Sequence, residues 1–204
     1  KLLTSTMAKV EIENLSSEIT GPAIYACNHR SLSDLLIAGP TFHQWGKPIK
    51  ALVAGTYFNH SLVGPLLRSL KCIPVEGTDA IDEAERALKE GWSVAMMPEG
   101  RIVPRNDWIK DGIGKGHVGI GRLAIKTGLP VIASGASGSE LLWPRGKNFP
   151  VIKPWKRQKV VLCCEFLGPI IEGSEREITD LIMQGVQRCV QRAEISSGII
   201  RESI

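Results

Sequence analysis

Ala23-Ile24-Tyr25-Ala26-Cys27-Asn28-His29-Arg30-Ser31-Leu32-Ser33-Asp34 runs from an apolar stretch through a polar turn into a helix signal. The first five residues have the length and content of a buried strand, and Ser33 reads as the cap of a following helix. His29 then sits at the strand tip and Asp34 in the first helical turn, where a tight turn can bring the two side chains together. A carboxylate on one imidazole nitrogen fixes the tautomer and leaves the other nitrogen free to take a proton. Taken alone, the pair also fits a chance spacing beside an ordinary capped helix.

The same strand-then-helix alternation continues outward. Val10 to Ile12 reads as an edge strand, Asp34 to Phe42 as a helix and Ile49 to Ala54 as a strand. Phe58, Leu62, Val63, Leu66, Leu67 and Leu70 recur at helical spacing, with Pro65 expected to bend or delay that helix. Cys72 to Val75 is a short strand. Thr78 or Asp79 caps a helix to about Glu90, ended by Gly91, and Trp92 to Met97 is a strand. Lys115 to Lys126 reads as a helix ended by Gly128, Leu129 to Ala133 and Lys159 to Phe166 as strands, and Glu175 to Ala193 as an amphipathic helix. This pattern predicts an α/β single domain with a mainly parallel central sheet and helices on both faces. Residues 1–204 are read as one unit, with a motif-bearing core over about 23–171 and a C-terminal helix over about 175–193.

A second polar signature leaves the Trp92–Met97 strand: Pro98-Glu99-Gly100-Arg101. Glycine lets the backbone approach a ligand, and arginine offers a bidentate fork to phosphate. The plainer alternative is a turn with a solvated salt bridge.

Composition narrows the classes. At 204 residues, 43% hydrophobic and 23% charged, the chain can bury a sizeable core. A net charge of +4 does not by itself point to nucleic acid. The five cysteines (Cys27, Cys72, Cys163, Cys164, Cys189) show neither CxxC spacing nor a Cys/His cluster, so no metal is expected. Their odd count fits reduced thiols better than a disulfide framework. No apolar run reaches the roughly 18 residues of a membrane span. No signal peptide is read, and the start at Lys1 leaves room for an upstream anchor.

Asn28-His29-x4-Asp34 and Pro98-Glu99-Gly100-Arg101, in that order, resemble the N-H-x4-D and P-E-G motifs of the glycerophospholipid acyltransferases typified by 1-acylglycerol-3-phosphate acyltransferase. Cys72-Ile73-Pro74-Val75, Lys115-Gly116, Gly128-Leu129-Pro130-Val131-Ile132 and Phe166-Leu167-Gly168-Pro169-Ile170 extend the resemblance over Ala23 to Ile171. It implies transfer of a fatty acyl group from acyl-CoA or acyl-ACP to a hydroxyl of a lysophospholipid, 1-acylglycerol-3-phosphate first among acceptors, in phospholipid biosynthesis. It implies His29 as base and Asp34 as its orienting acid. Glu99, Gly100 and Arg101 would serve the acceptor. No cofactor is implied beyond the acyl-CoA or acyl-ACP co-substrate, and acyl-carrier protein is a candidate partner. The family's second motif ends in an arginine; here Val75-Glu76-Gly77 stands in its place, and Lys71, Arg68 and Arg105 become candidate substitutes. The same chemistry on glycerol-3-phosphate, a sugar or an amino-lipid, and a non-catalytic lipid-binding module, remain alternatives.

Cys27 reads as a small buried hydrophobe, Ser31 and Ser33 as turn and cap residues, and His43, His60 and His117 as structural or surface groups. Trp143, Arg145, Lys147, Phe149, Lys153, Trp155, Lys156, Arg157 and Lys159 form a basic–aromatic stretch with no acid. Such a stretch suits an anionic membrane surface, with Phe58, Leu62, Leu66 and Leu67 as a further apolar contact. Nucleic acid is disfavoured by the paired motifs. The expected location is cytoplasmic, peripheral on the inner face of the cell membrane.

Overall fold

The computed structural model describes residues 8–13, 19–44, 46, 49–61, 63–77, 79–147, 149–151 and 155–201. Leu62, Thr78, Lys153 and Pro154, and the side chain of His43, lie outside the described residues.

Seven strands form one sheet in the order β1-β7-β6-β2-β5-β3-β4. They are β1 (Ala8–Glu13), β2 (Ile24–Cys27), β3 (Ile49–Ala54), β4 (Ile73–Val75), β5 (Ser93–Met96), β6 (Pro130–Ser137) and β7 (Gln158–Pro169). Strands β2 to β6 are mutually parallel. Strand β7 runs antiparallel to β6, and β1 pairs parallel with β7, so these two form the reversed edge of a mainly parallel sheet.

Alternate residues of the central strands feed opposite cores. Ile24, Ala26, Val94, Val131 and Ala133 face α3 (Asp79–Lys89), α5 (Gly119–Thr127) and α7 (Glu175–Ser197). Tyr25, Ala95, Ile132 and Cys164 pack with Phe42 of α1 (Ser33–Gln44) on the other face. Helices therefore cover both faces, as the near-continuous apolar strands require. Gly135 is needed for the tightest of these contacts: a Cβ there would lie 2.2 Å from the Val190 backbone nitrogen. Helix α7 thus rests directly on β6. It opens with a capping box, Ser174 Oγ accepting from the Glu177 N–H and the Glu177 carboxylate from the Ser174 N–H.

Several boundaries differ from expectation. The Phe58–Leu70 pattern splits into a 3-10 helix (Gly55–Asn59) and α2 (Val63–Ser69). Pro65 falls in the first turn of α2, where its missing N–H costs nothing. Leu67 is buried, whereas Leu66 is exposed, so the two do not share an outer face. Helix α5 begins at Gly119 rather than Lys115, because the preceding backbone is tied to the Pro98–Arg101 turn: Gly114 N–H donates to Glu99 Oε1 and His117 N–H to the Pro98 carbonyl. Short helices α4 (Arg105–Trp108) and α6 (Ser139–Leu142) were not read from sequence. All five cysteines are free thiols.

The parallel strands bring the loops after β2, β3, β4, β5 and β6 to one edge of the sheet. Strand β2 lies where the chain order reverses, with β5 on one side and β6 on the other. In open parallel sheets the crevice beyond the carboxyl ends at such a switch point is where ligands bind.

Candidate active site

His29 stands at that switch point, just beyond the carboxyl end of β2. Its Nδ1 lies 2.9 Å from Asp34 Oδ2, and since a carboxylate can only accept, Nδ1 carries the proton. The imidazole is 20% exposed, and its Nε2 makes no hydrogen bond among the described residues. Asp34 Oδ2 also accepts from the N–H groups of Arg30 (3.0 Å) and Ser31 (2.9 Å), so it is fixed before it holds the ring. Asp34 stands in the first turn of α1, where the helix dipole favours a negative charge. Ser33 is not a cap: it is the first helical residue, and its hydroxyl donates to the Ser139 carbonyl.

Neighbouring strands hold the turn in place. Asn28 makes a reciprocal pair with the backbone of Ala136 on β6, donating from Nδ2 at 3.1 Å and accepting at Oδ1 at 2.7 Å. On the β5 side, Glu99 Oε2 accepts the His29 N–H at 2.5 Å, and the Val103 N–H donates to the His29 carbonyl at 2.8 Å. Glu99 Oε1 takes the Gly114 N–H at 2.6 Å. Glu99 is buried, and burial pushes its carboxyl up to about 7 against the pull of these two N–H donors. Both of its oxygens brace backbone, and the glutamate holds the His29 N–H. Gly100 adopts φ 68°, and a Cβ there would come within 3.0 Å of the His117 ring. His117, read as a structural or surface group, is exposed and lies against the Pro98–Arg101 turn.

The expected phosphate ligands do not converge. Arg101 is exposed and pairs with Asp107 at 3.1 Å. Arg105 donates to the Arg201 carbonyl, and Arg68 to the Phe58 carbonyl. Lys71 precedes β4, and its ammonium lies 4.8 Å from the centre of the Trp92 ring, just before β5. That is the amino end of the strands, across the sheet from His29. Burial pushes the Cys27 thiol up to about 12, which disfavours the thiolate a nucleophile needs.

Residues 8–136, more than half the sequence, match the family described as Acyltransferase. The chain belongs to the Acyltransferase family. The crystal structure of the 1-acyl-sn-glycerophosphate (LPA) acyltransferase PlsC from Thermotoga maritima shares the fold, with a TM-score of 0.67 and 24% identity over 91% of this chain and 72% of that chain. No curated protein compared with the chain matches it. The matched span includes the His29–Asp34 and Pro98–Arg101 turns of this acyltransferase and stops inside β6.

Sequence reasoning missed the groups beneath the His29 turn. Arg30 is buried against Glu140, Glu194 and the Trp108 ring. The signal was present: Glu194 continues the series Ile178, Ile182, Val186, Val190, an acid at a core-facing position of an amphipathic helix. Among the described residues no group of side chains could hold a metal ion, and no helix is long and apolar enough to cross a membrane.

Proposed function

We propose that this acyltransferase moves a fatty acyl group from an acyl thioester, acyl-CoA or acyl-ACP, to a hydroxyl of a lysophospholipid such as 1-acylglycerol-3-phosphate. The observation that carries the proposal is the His29–Asp34 contact at 2.9 Å with Nε2 left unbonded. Nε2 takes the acceptor's hydroxyl proton as its oxygen attacks the thioester carbonyl. The carbon–oxygen bond forms, the carbon–sulfur bond breaks, and the proton passes from Nε2 to the departing sulfur. Asp34 holds the ring through the imidazolium stage. The thioester is already activated, so no protein nucleophile is needed. Thiol release from an acyl thioester, measured with and without a lysophospholipid, tests the assignment. Release that never depends on an acceptor would leave the lipid-binding alternative.

A second acceptor class is favoured by one observation: the family's second-motif arginine is replaced by the Val75–Gly77 stretch, and Lys71 faces the wrong end of the sheet. Arg101, two residues past the Glu99 that takes the His29 N–H, then remains the candidate phosphate cation. Its partner Asp107 is exposed, so the pair costs little to break. Arg101→Ala is expected to raise KM for phosphate-bearing acceptors about tenfold, with kcat unchanged, as loss of one charge-assisted contact implies. An unchanged KM across phosphorylated acceptors would place the phosphate elsewhere, or select a sugar or amino-lipid acceptor.

The chain is further proposed to work at a membrane surface. Trp155 is 89% and Phe149 80% exposed, and Arg145, Lys147, Lys156 and Arg157 are exposed beside them. Trp143 differs: it is half-buried, and its indole N–H donates to the Lys147 carbonyl. The Ser31 hydroxyl donates to the Trp143 carbonyl at 2.8 Å, which sets this loop beside the His29 turn. Vesicles with anionic lipid should float the protein, and Trp155→Ala with Lys156→Ala should weaken flotation several-fold, each cation near the surface contributing about 1 kcal/mol. Equal flotation of the double variant would exclude this loop.

A further inference from the structure

We infer that Arg30 and Glu194 are positioning residues for the His29–Asp34 pair; the inference rests on the reading of His29 as the base. The Arg30 side chain is 1% exposed. Its Nε and Nη2 donate to the Gly112 carbonyl at 3.2 and 2.5 Å, Nη1 to Glu140 at 3.3 Å and Nη2 to Glu194 at 2.7 Å. The guanidinium carbon lies 4.0 Å from the centre of the Trp108 ring. Glu194 is shared with Arg201, which reaches it at 2.7 Å, and Glu140 also accepts the Gly138 N–H at 2.9 Å. Burial pushes the Glu140 carboxyl up, and Arg30 pulls it back.

Two guanidiniums and two carboxylates are thereby gathered at the turn: Arg30 from the turn itself, Glu140 from α6, Glu194 from α7 and Arg201 from beyond α7, with the Gly112 carbonyl from the loop after α4. An apolar cluster of the same volume would be about as stabilising, because a buried ion pair spends most of its attraction on desolvation. What the ionic arrangement supplies is direction. It fixes the Arg30–Ser31 backbone, whose two N–H groups point at Asp34 Oδ2, the oxygen that also takes His29 Nδ1. A tilt of that peptide turns the carboxylate, and the imidazole with it. The charged groups around the pair are Arg30, Glu140, Glu194 and Arg201 below, and Glu99 at the His29 N–H.

The test compares Arg30→Met, Arg30→Lys and Glu194→Gln, each held well below its own Tm. Two quantities are read: kcat against KM, and the downfield proton resonance of the His29 Nδ1–H bonded to Asp34. Arg30→Met is expected to lose about 10- to 100-fold in kcat with KM unchanged, as a small misplacement of a reacting group does, and to broaden or shift the resonance. Arg30→Lys should recover part of both. Glu194→Gln keeps an acceptor oxygen and should fall between them; it decides the matter if Arg30→Met does not fold. A folded Glu194→Gln with wild-type kcat and an unmoved resonance overturns the inference. An active His29→Ala would instead defeat the reading of the base, whereas the resonance reports the clamp regardless of the reaction.

Discussion

His29→Ala is expected to lower acceptor-dependent thiol release by about 10² to 10⁴-fold while leaving Tm near that of the parent. The two halves of this result are linked. The substitution removes a partly exposed ring, but the bonds holding the turn run through the His29 backbone, to Glu99 Oε2 and from the Val103 N–H. These persist in alanine, so a lost rate cannot be charged to a lost fold. Asp34→Asn should cost a comparable factor for a different reason. The amide can turn an N–H toward Nδ1, and the ring then presents its protonated nitrogen to the substrate. It also offers a poorer acceptor to the Arg30 and Ser31 N–H groups, so this variant should lose some stability as well. Steady-state kinetics with thermal melts separates the two. Activity in His29→Ala within a few-fold of the parent would end the general-base mechanism.

Glu99→Ala should produce the largest loss of stability among the motif residues. It strands the His29 and Gly114 N–H groups without their acceptor. Each unsatisfied buried donor costs about 1–3 kcal/mol, a large share of the 5–15 kcal/mol that holds a typical domain together. The pH dependence provides a second reading. The carboxyl titrates near 7 when folded, against 4.5 unperturbed. Between those values the folded chain keeps a proton that the unfolded chain has released, so stability falls as pH rises through this window. The contribution is least unfavourable below about pH 4.5 and reaches its full cost above about pH 7, by up to about 3 kcal/mol. Glu99→Gln has no proton to exchange. Denaturant titrations at pH 5 and pH 8 should show the parent losing stability relative to Glu99→Gln, and parallel behaviour of the two would mean that Glu99 stays ionised throughout.

Periodicity made the sheet legible because buried parallel strands are uninterrupted apolar runs. Ile49 to Ala54 was placed to the residue, and Ser93 to Met96 within one residue of each end. It could not show that β7 runs against β6, since a twelve-residue strand carries no mark of direction in its own side chains. The late start of α5 was hidden for a related reason: Lys115 to Val118 is compatible with helix, and only the distant Pro98 carbonyl recruits the His117 N–H into a loop. At the site, the His29–Asp34 pair was legible because five residues span one turn. The backbone contacts of Glu99 were not legible, because a motif shows which side chain is present and not that both of its oxygens face backbone. Arg30 was invisible as a buried group, since its carboxylate partners stand 110 and 164 positions downstream.

That last separation bears on how the enzyme is made. The imidazole and its carboxylate are synthesised well before Glu194, which lies in the final turn of α7, and Arg201 follows later still. Contacts spanning so much chain form late, after the loops between them have been closed at an entropic cost. A polypeptide that has not yet supplied Glu194 and Arg201 therefore holds its imidazole turn through the strand-side bonds alone, without the ionic clamp beneath it.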